Sequence, residues 1–406
     1  MSEKIRLGMV GCGKFCRNFV PLFKLHPAVE SVCVCDLIPE RAAAYSAEFE
    51  VPVMDSFEDM LRSKDINAIA IFVQRHLHGP LVIRALEAGK AVYSAVPCAS
   101  SIEDIYRIEE LVRKTRLCYS MGETGYYRAC TIFCREKMKS GEMGDFVYGE
   151  AQYNHDQRNF IFENDQVAGL PPMLYPTHST SMILGAMPGV HVTKVSALGW
   201  VENKLPNIFG TKGQNLWDNP FSNTAMLCRL SNGGVARISE NRRVAWHGPN
   251  SYISQFYGSA GCYEFSVAHH YYSHWDAEDP KKLYLDEVTD RLVPPAQYAD
   301  RNEPDAAQRI CEAKYFRQSA PIHHTARLPE SFAGRPNGHD GTHHFMVDDF
   351  CRAFTTGKLS PTNIWAAARF NLPGLVAIQS ALHDGQQMDV PDLGDPPADW
   401  EVLDVD

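Results

Sequence analysis

The chain has 406 residues, 45% of them hydrophobic and 22% charged, with a formal net charge of −10 at pH 7. That length exceeds one ordinary hydrophobic core and predicts two domains of globular composition. The acidic balance argues against a nucleic-acid partner, and no run of about 18 apolar residues is present to span a bilayer, so neither nucleic acid nor membrane is expected.

Met1-Ser2-Glu3-Lys4 runs straight into the strand-like Ile5–Val10 without a signal-peptide pattern, so a cytoplasmic location is expected. None of the twelve cysteines shows the C-x-x-C spacing of a structural zinc site. They read as buried free thiols, and no metal is expected.

Ile5–Val10 predicts a buried strand, followed by Gly11-Cys12-Gly13-Lys14-Phe15 and a helix carrying Phe15, Phe19, Val20, Leu22 and Phe23 on one face. Val32–Cys35 predicts a second strand ending in Asp36, and Pro39 opens the next helix. Ala68–Val73 predicts a third strand and Pro80–Ala88 a helix stopped by Gly89. Ala91–Tyr93 and Leu117–Met121 predict further strands, flanking a helix over Ile102–Thr115. Strands alternating with helices at this spacing imply a doubly wound parallel sheet of Rossmann type.

Gly11 permits the tight turn after the first strand, and Gly13 lets the backbone approach a pyrophosphate. Cys16 stands where a third glycine is usual and is small enough for close helix–strand packing. Asp36, at the expected distance downstream, would accept hydrogen bonds from an adenosine ribose and repel a 2′-phosphate. Leu37 rather than Arg follows, so NAD is favoured over NADP.

Beyond about Cys130 the pattern changes. Phe146–Tyr153 alternates like a strand with one wet face. Val190–Trp200, Asn223–Leu230, Gly234–Val244, Ser251–Gly258 and Cys262–Val267 follow nearly consecutively, predicting an α+β region with a large, open, mainly antiparallel sheet. Residues 296–340 suggest a long loop or arm. Gly341–Thr355 and Ile364–Asp384 predict late helices, and an acidic tail runs over Asp389–Asp406. The expected division is a Rossmann domain over 1–125 and a substrate-binding, oligomer-forming domain over 126–406, its late helices free to pack back on the first.

With Gly11-Cys12-Gly13, Asp36-Leu37-Ile38-Pro39-Glu40-Arg41-Ala42, His78, Ala88-Gly89-Lys90, Pro97, Gly141-Glu142-Met143-Gly144, His178 and Gly258-Ser259-Ala260-Gly261, the chain resembles the Gfo/Idh/MocA oxidoreductases over essentially its whole length. The resemblance implies NAD as cofactor, a small-molecule sugar, glycoside or cyclitol as substrate, and a homo-oligomer, dimer or tetramer. It also adds Val73, His78, Val96 and Pro97 to the cofactor-binding set of Gly11, Cys12, Gly13, Lys14, Phe15, Asp36 and Leu37. One departure stands out. The family usually carries Glu-Lys-Pro beside the nicotinamide, and here the segment reads Ala95-Val96-Pro97, in which Val96 can neither donate nor accept a proton. The acid often found four residues before the family's histidine is Leu174 here.

His178 is therefore the leading candidate for general acid/base, since a histidine titrates near working pH without large tuning. Tyr175, three residues earlier, would share a face with His178 on a helix, or lie near the cap and point into the cleft if the helix begins at Pro176, and is either a catalytic phenol or packing. Candidate substrate contacts are Glu123 and Tyr127 after the last Rossmann strand, Tyr153, His155 and Asp156 at the end of the first later strand, Thr177, and His339 and His343 before the late helix. Trp246 and His247, after Arg242 and Arg243, would add an aromatic platform and donors. Three functions fit: hydride transfer between nicotinamide and a secondary ring hydroxyl, with C3 one option; NAD-dependent glycoside cleavage through a transient keto-sugar, with no net redox; or a dinucleotide-binding sensor that has lost catalysis.

Overall fold

The computed structural model describes residues 3–155, 168–206, 208–210, 215–244, 251–266, 269–279, 281–294, 316 and 318–405. Two compact units are present: Met1–Ala129 with Val293–Ala367 and Leu393–Asp406, and Cys130–Leu292 with Ala368–Asp392.

The first unit holds β1 (Ile5–Val10), β2 (Val29–Cys35), β3 (Ala68–Ile71), β4 (Ala91–Ser94) and β5 (Tyr119–Met121) in the order β2-β1-β3-β4-β5. Every pairing is parallel. Every residue of β3 and β4 is buried, as strands covered on both faces by helices must be, and that burial explains the unbroken apolar run of β3. Pro39 starts the helix Pro39–Phe49. The helix Ile102–Thr115 is capped by Ser101, whose hydroxyl accepts the Asp104 N–H at 3.1 Å, with Glu103 and Asp104 in the first turn and Arg113 and Lys114 in the last.

The segment after the glycine turn departs from the single helix expected. A 3₁₀ turn over Cys16–Asn18 precedes an α-helix over Val20–Leu25. Pro21 is the cause: lacking an N–H, it is tolerated only in a first helical turn, so the α-helix starts beside it. The helix Phe57–Arg62 was not foreseen; Ser56 caps it.

The later part of this unit packs through a buried ionic network. Arg327 donates to Asp348 at 2.7 Å and Asp349 at 2.6 Å, Tyr127 donates to Asp349 at 2.6 Å, and His26 meets Asp348 at 3.2 Å. The expected late helix runs over His343–Thr356, preceded by a kinked turn, Gly338–Gly341, in which His339 and Asp340 are not helical.

The second unit carries β6 (Phe146–Asn154), β7 (Val192–Val201), β8 (Phe221–Leu230), β9 (Val235–Asn241), β10 (Tyr252–Gly258), β11 (Gly261–Ser266), β12 (His269–Trp275), β13 (Leu283–Glu287) and β14 (Met388–Asp389). They form a nine-stranded sheet in the order β13-β12-β11-β10-β6-β9-β8-β7-β14. It is antiparallel except where β6 pairs with β9. β12 and β13 extend it beyond the expected strands. The alternation of burial along β8 marks a half-covered sheet.

The helix Thr177–Leu184 lies on β6, β9 and β10 and is buried throughout. Its position is set by the helix Ile364–Leu382. Thr180 donates to the Phe370 carbonyl at 2.5 Å, and a Cβ on Gly374 would fall 2.2 Å from the Met173 carbonyl oxygen. No helix among the described residues is long and apolar enough to cross a membrane.

Candidate functional site

In the first unit the glycine turn separates two demands. Gly11 has φ +93°, and a Cβ there would lie 2.3 Å from the Phe72 carbonyl oxygen, so the protein itself requires glycine. Gly13 is different: a Cβ there would meet no atom of the described residues within 4 Å, which leaves room of the kind a pyrophosphate needs. Asp36 closes β2 with its carboxylate fixed by two backbone donors, Cys12 N–H at 2.6 Å and Ile38 N–H at 2.8 Å. Each oxygen keeps further acceptor capacity for a ribose hydroxyl. Leu37 projects into solvent beside it, and Lys14 is exposed. Burial, then the Asp36 charge, pushes the Cys12 thiol up to about 12, which keeps it neutral beside the turn. These residues fit NAD.

His78 gathers the other expected cofactor residues. Its Nδ1 lies 2.7 Å from the Pro97 carbonyl and its Nε2 3.1 Å from the Val73 carbonyl, so one buried ring ties the end of β3 to the Val96-Pro97 segment. Burial holds its pKa down, and a neutral imidazole has one N–H, which belongs to the shorter contact. His78 thus organises the two loops.

Glu123 and Tyr127 are fully enclosed. Glu123 accepts the Gly125 N–H at 2.6 Å, and Tyr127 is engaged with Asp349. His339 and His343 are joined at 2.7 Å and pack with ring centroids 5.7 and 5.6 Å from Phe15. Asp156, Trp246 and His247 lie outside the described residues.

In the second unit Pro176 is the N-cap of the helix Thr177–Leu184, which leaves Tyr175 just before it. The short arc brings the Tyr175 hydroxyl to 2.6 Å from His178 Nε2. The Tyr153 hydroxyl meets His155 Nδ1 at 2.7 Å, just past the end of β6. Tyr153 and Tyr252 pack edge-on to the His178 ring at 5.0 and 5.2 Å. Thr177 is buried in the same helix turn.

Arg242 completes this cluster in a way the sequence did not suggest. Its guanidinium carbon sits 4.7 Å from the Tyr153 ring centre and 5.3 Å from that of Tyr175. It donates to the Tyr175 carbonyl at 3.2 Å and to Glu240 at 2.6 Å, and Glu240 in turn takes the Ser179 hydroxyl. A charged pair spaced two apart at a strand end shares one face, and that spacing was the available signal for Glu240. Tyr252 gave no signal beyond strand alternation. The arrangement holds a phenol–imidazole couple, able to give or take one proton, inside a rigid aromatic and ionic frame. Among the described residues no group of three or more His, Cys, Asp or Glu side chains is placed to hold a metal ion.

Residues 5–123 match the model of the Gfo/Idh/MocA oxidoreductase family, NAD-binding Rossmann fold. The chain is 21% identical over 421 residues to a glycosyl hydrolase family 109 protein of Streptomyces niveus, covering 96% of this chain and 77% of that protein. It is 26% identical over 188 residues to the dTDP-3,4-didehydro-2,6-dideoxy-alpha-D-glucose 3-reductase of Streptomyces violaceoruber, covering 45% of this chain and 55% of the reductase. Among solved structures, a levoglucosan dehydrogenase in complex with NADH and L-sorbose aligns with a TM-score of 0.73 at 16% identity, over 96% of this chain and 100% of that one. A myo-inositol 2-dehydrogenase from Lactobacillus plantarum aligns with a TM-score of 0.66 at 16% identity, again over 96% of this chain and 100% of that one. These structural likenesses establish the fold of the chain. Residues 5–123 are thus an NAD-binding Rossmann domain of the Gfo/Idh/MocA oxidoreductase kind.

Proposed function

We propose that the protein transfers a hydride between nicotinamide and a secondary ring hydroxyl or ketone of a sugar, glycoside or cyclitol, and that Tyr175 and His178 move the hydroxyl proton. The observation that carries this reading is the 2.6 Å hydrogen bond between Tyr175 Oη and His178 Nε2. The substrate hydroxyl gives its proton to Tyr175 Oη as the phenol proton passes to His178 Nε2, a relay of general-base type worth about 10²–10⁴ in rate. When bound, NAD supplies the hydride acceptor. Arg242 and Glu240 keep the phenol in place during the transfer. Val96, where the family resemblance implies a lysine, can neither donate nor accept a proton and leaves this duty to another group. The names of the similar sugar reductase and levoglucosan dehydrogenase support a sugar, and the reductase's position of reduction supports C3.

A second reading is NAD-dependent glycoside cleavage, in which transient oxidation acidifies the neighbouring C–H, the aglycone is eliminated, water adds and the hydride returns. Two observations favour it: relatives named glycosyl hydrolase family 109 align over 96% of the chain, and the Tyr153–His155 couple offers a second proton-handling group.

The test adds NAD to the purified protein with a panel of hexoses, cyclitols and aryl glycosides, following NADH and released aglycone separately. NADH formation with one sugar supports the dehydrogenase; aglycone release without matching NADH moves the assignment to cleavage. Silence across the panel and its keto-sugar reverse reactions would overturn both. Leu198, Trp200 and Leu227 at one end of the second sheet, and Trp275, Leu283 and Leu285 at the other, are exposed and support a homo-oligomer. The free cysteines among the described residues suit a reducing, cytoplasmic setting.

A further inference from the structure

The glycine turn is tied to the rest of the first unit at successive residues, and the ties decide which of its donors a ligand can use. The Gly11 N–H is given to the Cys35 carbonyl at 2.9 Å and the Cys12 N–H to the Asp36 carboxylate at 2.6 Å. Both donors are spent at the end of β2. The next tie runs to a different element and uses an acceptor. Tyr45, on the helix Pro39–Phe49 and 3% exposed, donates its hydroxyl proton to the Gly13 carbonyl. A carbonyl can only accept, so the direction of that bond is fixed.

Peptide planarity turns this bond into an aim. The Gly13 carbonyl and the Lys14 N–H belong to one trans peptide and point in opposite directions. Drawing the oxygen inward to the buried Tyr45 hydroxyl therefore turns the Lys14 N–H away from that helix. A Cβ on Gly13 would meet no atom of the described residues within 4 Å, and Lys14 is exposed. A backbone donor beside such room in a glycine turn is the group a phosphate oxygen takes up. The hydroxyl is not what seats the ring. Tyr45 packs edge-on to Phe49 at 5.3 Å and lies 5.9 Å from the Arg17 guanidinium carbon, contacts that a phenyl ring would keep. The buried Cys16 thiol, where a third glycine is usual, lies beside the same hydroxyl.

We propose that Tyr45 is a positioning residue for the dinucleotide: by holding the Gly13 carbonyl, it presents the Lys14 N–H to the pyrophosphate. The inference rests on NAD binding by residues 5–123 and is independent of the proton relay. Calorimetric or NMR titration of the whole protein with NAD, ADP-ribose and adenosine tests it in the wild type, Tyr45→Phe and Cys16→Ala. Tyr45→Phe removes only the hydroxyl. Cys16→Ala disturbs the packing beside that hydroxyl and leaves its bond to Gly13. The expected result for Tyr45→Phe is about tenfold weaker NAD and ADP-ribose with adenosine within twofold of wild type, and for Cys16→Ala a change under about threefold with every ligand. In protein labelled with ¹⁵N-lysine, the Lys14 amide signal is identified by its loss in Lys14→Arg. It should move downfield with NAD in the wild type and stay near its free position in Tyr45→Phe, which a merely structural tyrosine would not cause. A wild type that binds no NAD defeats the cofactor assignment, and the Tyr45 role with it. NAD affinity within twofold of wild type in Tyr45→Phe, or a wild-type movement of the Lys14 signal there, overturns the Tyr45 role alone. An equal loss for adenosine, or a loss in Cys16→Ala as large as in Tyr45→Phe, also overturns it, because the damage would then lie in the packing of the turn and not in its aimed peptide.

Discussion

The two units use buried histidines in opposite ways. In the first, His323 accepts the Ala320 N–H at 2.8 Å and meets the Tyr127 carbonyl at 2.9 Å, and His344 meets the Pro336 carbonyl at 3.1 Å. Burial pushes both down to about 4, so they stay neutral and act as struts between chain segments. In the second, His178 is just as enclosed, but its Nε2 faces a phenol. A carbonyl can only accept, whereas a phenol can accept or surrender a proton. Burial alone therefore does not separate the two settings; the chemistry of the partner does.

The largest effect should follow from breaking the second kind of site. His178→Ala should lower kcat by about 10²–10⁴ while NAD affinity, measured by calorimetry, stays within twofold of wild type. Next comes the ionic strut of the first unit. Arg327→Met leaves the buried Asp348 and Asp349, as arginine contacts, only the longer ones to Arg352, at 3.9 and 3.6 Å, and should cost about 3–5 kcal/mol in denaturant unfolding. A loss under 1 kcal/mol would show that the network contributes little. The glycines sharpen the contrast between scaffold and site. Gly11→Ala should cost about 2–4 kcal/mol, because strain and the Phe72 carbonyl oppose it. Gly13→Ala should cost under about 1 kcal/mol yet weaken NAD binding, since its Cβ meets no atom of the described residues and would enter the space left there. Equal stability losses for the two would contradict the assignment of that space.

The struts themselves should show a pH dependence. His323 and His344 have folded pKa values near 4 against an ordinary 6.5, so the unfolded chain binds more protons between those limits. Their stabilisation is complete above about pH 6.5 and falls as pH drops toward 4, by up to about 1.4 kcal/mol per pH unit for each group. Urea midpoints at pH 7, 6 and 5 should decline in that order, and a flat series would contradict the strut role.

The first unit was legible because its signals are local. Apolar runs mark buried parallel strands, Gly11 and Gly13 sit between strand and helix, and Ser101 caps the helix that follows it. The split before Val20 was also written locally, in Pro21, and was overlooked. β12 and β13 were hidden because His269–Trp275 and Leu283–Glu287 lack the aliphatic alternation of the other strands and are held by cross-strand pairing. At the candidate site, the three-residue spacing of Tyr175 and His178 was readable, and Pro176 marked the helix start. The Arg242–Glu240 frame was not, because its contact with Tyr175 and Ser179 joins β9 and the residues after it to a distant helix. The left-handed turn at His339 and Asp340 was equally hidden, since neither residue type demands that backbone.

In the proposed function the Tyr175–His178 couple carries the proton while residues 5–123 hold NAD independently. Its most direct test is Tyr175→Phe, which removes one oxygen and keeps the ring beneath Arg242. NAD affinity and the pH dependence of the hydride-transfer rate should be measured on the same preparation. Unchanged NAD binding and a rate at least about 100-fold lower are expected. A wild-type rate and pH profile in that variant would contradict it.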